Sequence, residues 1–280
     1  MMKKNLLLIL MCFVCGLVYA HDGLNFRNLD VKSGISDNYV RSVLRDQYGF
    51  MWFATLNGLN RYDGYQFKKY TTTQLGAYNN DIESIAEDAA GNIWIKGPVS
   101  YYIYDREQDK LENKIQPVLN KYGITGEVSY LTVDKDYNLW CTVMDTLFHY
   151  DFAKSKLHTF QLPGKEKMQQ VVCRRSCAYL LFSNGEIARI DSNFQHIRPE
   201  TRRTISSGLQ YNLYIDTVDR LWFYASHASG LQCYDTNQKQ WIDYVGRQEV
   251  TDALITAVMD DGDGNLWIGT DDKGVYISYN

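Results

Sequence analysis

An anchor residue, a tryptophan in five of six copies, recurs along the chain every 40 to 46 residues, and this spacing restricts the fold more than any other feature. The anchor positions of the repeat are Trp52, Trp94, Trp140, Leu180, Trp222 and Trp267. The first copy reads "DQYGFMWFATLNGLNRYDG" at residues 46–64. In most copies a turn sequence rich in Asp, Gly and Asn precedes the anchor, and a Tyr-Asp pair follows it. Six related segments at this period indicate a repeat architecture.

Each repeat divides into four short strands. In the first copy they are predicted over residues 39–44, 51–55, 59–63 and 67–71. Four strands for every 40–50 residues, separated by Gly, Asp and Asn turns, are typical of propeller blades. We therefore predict an all-β fold, a β-propeller of six four-stranded blades, in which the anchors fill the space between blades. A β-sandwich is the second candidate, but it would not require the same tryptophan in each repeat.

The two ends of the chain suggest how the ring closes. The sixth repeat stops after its third strand, whereas residues 25–34 resemble a fourth strand. Phe26 precedes Val40 by fourteen positions, and Trp241 precedes Ile255 by the same number. We predict that residues 26–29 pair with residues 275–278, which would remove the open edges of the ring. The alternative is an incomplete part of a seven-bladed propeller.

The N-terminus has the features of a secretory signal. Lys3 and Lys4 precede an apolar run from Leu6 to Val18, and Val18-Tyr19-Ala20 offers a small-x-small cleavage site. The predicted organisation is a signal peptide over residues 1–20 and a single propeller domain over 21–280, with no membrane span after cleavage. An exported, periplasmic protein is expected.

Charge and cysteine content limit the partners. Cleavage would remove two lysines and change the net charge from −4 to −6, so nucleic acid is not an expected partner. Four cysteines would remain, and Cys173 and Cys177 flank a short turn. Both a disulfide between them and free buried thiols are compatible with an exported protein. The histidines and cysteines show no metal-ligand spacing, so neither a metal nor a cofactor is expected.

The segment "GISDNYVRSVLRDQYGFMWFATLNGLNRYDGYQFKKYT" (34–71) resembles the periplasmic sensor region of hybrid two-component regulators. The resemblance covers residues 24–280 and is poor only in repeat four, where Arg174–Cys177 replaces the turn and Leu180 replaces the tryptophan. It implies a non-enzymatic, glycan-directed sensor propeller, here without the kinase and membrane parts. A structural or interaction propeller that docks a membrane-bound sensor protein is the alternative, a homodimer is a further possible partner, and a hydrolase or lyase is the third hypothesis.

A ligand is expected at the face built by the loops between strands two and three and between successive blades. Tyrosine combines a flat apolar ring with a polar tip, which suits an oligosaccharide or another small ligand. The candidate ligand-binding residues are Tyr78, Lys96, Tyr101, Tyr122, His227, Asp272 and Lys273. No catalytic residue is assigned.

Overall fold

The computed structural model describes residues 27–164, 166–174, 177–191, 193–206, 208–242, 250, 252–261 and 263–279. Its strands form six antiparallel sheets in chain order, five with four strands and the last with three among the described residues. In each sheet, consecutive strands are neighbours. The predicted six-bladed β-propeller is confirmed. The predicted signal peptide lies outside the described residues.

The strands follow the repeat closely. Blade 1 contains β1 (Val40–Arg45), β2 (Met51–Thr55), β3 (Gly58–Tyr62) and β4 (Phe67–Tyr70). Blade 2 contains β5 (Ser84–Glu87), β6 (Ile93–Lys96), β7 (Tyr101–Asp105) and β8 (Lys110–Glu112), and the short helix α1 (Gln116–Lys121) leads to blade 3. Blade 3 contains β9 (Val128–Val133), β10 (Leu139–Val143), β11 (Thr146–Asp151) and β12 (Lys156–Gln161). Blade 4 contains β13 (Met168–Arg174), β14 (Cys177–Phe182), β15 (Glu186–Ile190) and β16 (Ile197–Arg202). Blade 5 contains β17 (Tyr211–Ile215), β18 (Arg220–Ala225), β19 (Leu231–Asp235) and β20 (Gln240–Ile242). Blade 6 contains β21 (Ile255–Asp260), β22 (Leu266–Thr270) and β23 (Val275–Ser278).

The turn before each anchor tryptophan requires one residue in the left-handed backbone conformation. The residue three positions before each of the five anchor tryptophans has a positive φ, between 62° and 93°. Glycine adopts this left-handed conformation without steric cost and is found at three of the five positions, Gly49, Gly91 and Gly264. Tyr137 and Asp219 adopt it in blades 3 and 5 despite their Cβ atoms. The turn geometry therefore persists where the glycine of the repeat is lost.

Adjacent blades pack face to face through their tryptophans. Trp52 packs on Ile85 and Tyr102 of blade 2, and Trp94 packs among Leu131 and Leu139 of blade 3. In the same way, Trp140 packs between blades 3 and 4, and Trp222 packs between blades 5 and 6. These four tryptophans are at most 2% exposed. Their predicted role as core anchors is confirmed.

Blade 4 departs from the repeat by one residue. Leu180 is buried as predicted, but it packs with Trp140 on the side of blade 3. Tyr179 packs on Leu213 and Phe223 of blade 5 and so occupies the position of the missing tryptophan. The reason lies in the hairpin β13–β14, where Arg174 pairs directly with Cys177 and the turn is shorter than in the other blades. A shortened turn reverses which face each residue of the second strand presents.

Of the two states left open for Cys173 and Cys177, the structure has the free thiols. Cys173 pairs with Ala178 and packs towards blade 3, whereas Cys177 pairs with Arg174 and packs towards blade 5. The two sulfur atoms therefore lie on opposite faces of one sheet, where a disulfide cannot join them without moving the backbone.

The predicted strand closure is wrong for the described residues. Residues 27–30 form no strand, and β23 pairs only with β22 in the described part of the chain; Phe26 lies outside it. Asp30 instead accepts hydrogen bonds from the amides of Lys32 and Ser33 and starts a 3-10 turn at Val31. Trp267 of blade 6 is 37% exposed, in contrast to the four buried anchor tryptophans of blades 1, 2, 3 and 5.

Candidate functional site

The meander order gives the propeller two distinct faces. The loops between strands two and three and between successive blades lie on one side, which we call the loop face. The turns between strands one and two and between strands three and four lie on the other, which we call the turn face. The sequence predicts ligand binding on the loop face.

A groove of about 500 Å³ opens on the loop face between blades 2 and 3. Its walls are three segments, residues 99–101 between β6 and β7, residues 113–117 after β8, and residues 126–128 before β9. The volume lies within the usual range of small-ligand sites, about 300–1,000 Å³. Along the groove, exposed Lys114 and Glu127 provide one positive and one negative charge, and Asn113 and Gln116 provide side-chain amides. We call this feature the loop-face groove.

Two predicted site residues lie at one end of blade 2. Lys96 and Tyr101 are directly paired across β6 and β7. The ammonium of Lys96 forms an ion pair of 2.7 Å with Glu83, and the hydroxyl of Tyr101 accepts a hydrogen bond of 2.9 Å from the amide of Leu131. Burial raises the pKa of Tyr101. Tyr101 therefore fixes blade 3 against blade 2 while its side chain lines the loop-face groove.

Three further predicted residues lie together on blades 5 and 6. His227 Nδ1 is 2.5 Å from Asp271 Oδ2, and this histidine is exposed. Asp272 accepts a hydrogen bond from the amide of Leu254, and the amide of Lys273 donates to Thr270 Oγ1. Asp271 was missed from the sequence, because its partner lies 44 residues away in another blade. The cluster is an open surface arrangement of charged groups.

The remaining two candidates are not brought to a common site. Tyr78 is fully exposed in the connection between blades 1 and 2. Tyr122 follows α1 towards the turn face, where its hydroxyl accepts a hydrogen bond of 2.8 Å from Asn92. Its ring packs on Tyr150 and Phe152. The interactions of Tyr122 are thus structural contacts between blades 2 and 3.

Sequence reasoning also missed most of the loop-face groove. Segments 113–117 and 126–128 belong to the connection between blades 2 and 3, which the sequence places on the predicted ligand face, but this connection has no repeat pattern that would single out its cavity-lining residues. In the described part of the chain, no group of three His, Cys, Asp or Glu side chains is arranged to hold a metal ion. The described helices are all too short or too polar to cross a bilayer.

Comparisons with solved structures place this fold among propellers. The extracellular domain of the hybrid two-component system BT3049 of B. thetaiotaomicron is 21% identical, with a TM-score of 0.61 over 90% of this chain. That of BT4673 from the same organism is 20% identical, with a TM-score of 0.61 over 93% of this chain. This chain spans 35% and 36% of the two proteins, about a third of their length.

A propeller of another class is also similar. A catalytically inactive virginiamycin B lyase from Staphylococcus aureus, solved with quinupristin, is 15% identical with a TM-score of 0.60. The match covers 93% of this chain and 86% of the lyase. At these identities the likeness concerns the fold alone. A search of curated protein sequences gave no match.

The sequence repeats match a described family. Residues 34–57 and 250–272 match the family model described as "Two component regulator propeller". These segments cover the turn and the anchor strand of the first and the last of the six repeats, which are also the copies with the clearest pattern. The predicted resemblance is thus confirmed at these two segments, which match the two-component regulator propeller model.

Proposed function

We propose that this chain is a non-enzymatic, ligand-sensing propeller of a periplasmic two-component system and that it binds a glycan in the loop-face groove. The match of two repeats to the two-component regulator propeller carries the sensor part of the proposal. The glycan part is supported by the groove, whose size and mixture of amides, opposite charges and one tyrosine ring suit a ligand rich in hydroxyls.

The test is a thermal-shift screen of oligosaccharides followed by calorimetric titration. A ligand that binds the native state raises the unfolding midpoint by mass action. We expect a shift with the wild type and a reduction of at least about ten-fold in affinity for the double variant K114A/E127A, or about 1.4 kcal/mol. Lys121→Ala is the matched control, because Lys121 is exposed on the same connection but does not line the groove.

Two other outcomes would replace this proposal. If no glycan shifts the midpoint, a propeller that docks a membrane-bound sensor protein becomes the better hypothesis. If purified protein converts a glycan into products, the chain is an enzyme. The fold likeness to a lyase and the His227–Asp271 pair on the loop face are the observations behind that outcome, and the variant H227A would then abolish turnover.

A further inference from the structure

A second cavity lies on the turn face, between blades 3 and 4. It has a volume of about 370 Å³, and its lining comes from both turns of each blade. We call it the blade 3–4 pocket. The lining residues on which the argument rests are Asp134, His149, Lys156, His158, Asn193 and Phe194.

The pocket contains a buried side chain without a hydrogen-bond partner. His149 is 3% exposed, and both of its ring nitrogens lack a partner. The ring stacks on Trp140 at 4.0 Å and on Phe194 at 4.8 Å between centroids. Stacking uses the faces of the imidazole, so its polar edge is left unpaired. An unsatisfied buried donor and acceptor destabilise a native protein, and their presence requires an explanation.

The same repeat position in blade 1 is fully satisfied. Arg61 lies opposite Trp52 as His149 lies opposite Trp140. Arg61 donates to Tyr104 Oη at 2.5 Å and to Asp109 at 3.0 Å, both from blade 2. In blade 4, Ile190 occupies the strand position that corresponds to Tyr104 of blade 2, and Phe194 lies in the turn that corresponds to the one with Asp109. The neighbouring blade thus supplies apolar side chains where blade 2 supplies polar ones.

One hydroxyl oxygen would be enough to join His149 to the nearest carboxylate. Asp134 Oδ2 is 4.0 Å from His149 Nε2, which is too far for a hydrogen bond. A hydroxyl oxygen about 2.8 Å from each atom would bridge them by accepting from one and donating to the other. Burial lowers the pKa of His149 to about 4, so the ring is neutral at pH 7 and offers one donor and one acceptor.

The lining carries three carboxylates and two ammonium groups, one more negative than positive charge. Lys154 is paired with Asp151 at 2.9 Å, and Asp134 accepts hydrogen bonds from Trp140 Nε1 and from two backbone amides. Exposed Lys156 and Asp136 remain at the rim with opposite charges. An anionic ligand would meet no excess of opposite charge here, whereas a hydroxyl group finds both donors and acceptors.

We propose that the blade 3–4 pocket binds one small, neutral, polyhydroxylated unit, a sugar ring or a polyol, which pairs the free nitrogens of His149. The volume is near the lower end of ligand sites, about 300–1,000 Å³, and fits a single such unit. The site is separate from the loop-face groove and does not depend on the function proposed for that groove. The unit is either a free monosaccharide or polyol, or the terminal residue of an oligosaccharide.

The experiment compares three proteins by thermal shift and by saturation-transfer NMR. The probes are glucose, galactose, mannose, xylose and sorbitol, each at about 50 mM so that a weak site is filled, with cellobiose to detect recognition of a terminal residue. Glucuronate and glucosamine are the charged comparisons. The proteins are the wild type, H149F, which retains the stacking but lacks both nitrogens, and the loop-face variant K114A/E127A.

We expect at least one neutral probe to raise the midpoint of the wild type and of K114A/E127A equally, and to leave H149F unchanged. The midpoint of ligand-free H149F should equal or exceed that of the wild type, because the variant has no unpaired buried nitrogen. A response to cellobiose as strong as to glucose would identify a terminal residue as the source, and a response to glucose alone a free sugar.

Three results would overturn the proposal. One is a full response of H149F, and another is binding of the charged probes alone. The third is the absence of any response of the wild type, which would mean that water fills the pocket. If H149F does not fold, the variants N193A and K156A at the exposed rim replace it. Each should weaken binding at least about three-fold and leave the ligand-free midpoint unchanged. Wild-type affinity in both variants would also refute the site. Loss of oligosaccharide binding in K114A/E127A alone concerns only the loop-face groove.

Discussion

The indole Nε1 of Trp52 donates a hydrogen bond of 2.9 Å to Asp46 Oδ2, while the other oxygen of the same carboxylate accepts from the amides of Tyr48 and Phe50. One aspartate therefore both shapes the turn and orients the anchor of the blade. The same bond joins Trp94 to Asp88, Trp140 to Asp134, Trp222 to Asp216 and Trp267 to Asp261, at 2.8–3.0 Å.

The first prediction concerns this bond in blade 2. Replacing Asp88 by Ala leaves the buried indole N–H of Trp94 without an acceptor, which should lower the free energy of unfolding by about 1–3 kcal/mol. Asp88→Asn keeps one acceptor oxygen and should lose less. Urea unfolding monitored by tryptophan fluorescence measures both. Equal stability of the wild type and D88A would show that the carboxylate has no role in holding the anchor.

The second prediction compares two anchors. Trp94 is 2% exposed between blades 2 and 3, whereas Trp267 is 37% exposed on blade 6. Trp94→Ala should cost about 3–5 kcal/mol, because it leaves a cavity in a packed core. Trp267→Ala should cost less than half as much, since the indole is already partly in water. Denaturant midpoints of the two variants test this, and a similar loss in both would mean that Trp267 is covered in solution.

The repeat predicts most of the fold from the sequence, because its signals are local. The predicted strands of blade 1 agree with β1 to β4 within one residue at each end. The prediction fails where one turn is shortened, since a change of register exchanges the roles of Leu180 and Tyr179. The sequence shows that Arg174–Cys177 replaces the usual turn there, but not that the register changes. It also fails for residues 27–29, which form no strand and lead into the 3-10 turn that Asp30 caps.

The candidate sites are harder to predict, because they depend on which blade faces which. Tyr122 is of a residue type that suits ligand sites, but its contacts with Asn92 and Tyr150 are structural. His149 gave no sequence signal, because a single histidine in a strand is usually a core residue. Only the packing shows that the neighbouring blade provides Phe194 instead of a hydrogen-bonding partner.

The third prediction concerns the cysteines. Because Cys173 and Cys177 face different blades, both should remain thiols in protein isolated from an oxidising compartment. Burial raises the pKa of Cys173 well above its usual value and raises that of Cys141 and Cys233 to about 12, so these three should react slowly with a thiol reagent in the native state. All four should react in denaturant. Non-reducing peptide mapping that finds a Cys173–Cys177 peptide would contradict this.

The fourth prediction is a pH dependence of stability that comes from His149. The charged and titratable groups near the imidazole ring of His149 are Asp134, Asp151, Lys154 and His158. Burial, with a smaller contribution from His158, lowers the pKa of His149 from 6.5 to about 4. Between these values the unfolded chain binds a proton that the folded chain does not, so the folded state loses stability as the pH falls.

For this histidine the loss should begin as the pH falls through 6.5 and be complete near pH 4, and it should amount to about 3 kcal/mol. The measurement is urea unfolding of the wild type and of H149F across this range, because the difference between the two cancels the titration of groups that they share. We expect H149F to gain on the wild type steadily as the pH falls. H158F is the control, and it should show a weaker dependence, since His158 is only partly buried. Parallel pH profiles for the wild type and H149F would contradict the prediction. They would show that the folded protein protonates His149 as readily as the unfolded chain, although the ring is buried without a hydrogen-bond partner.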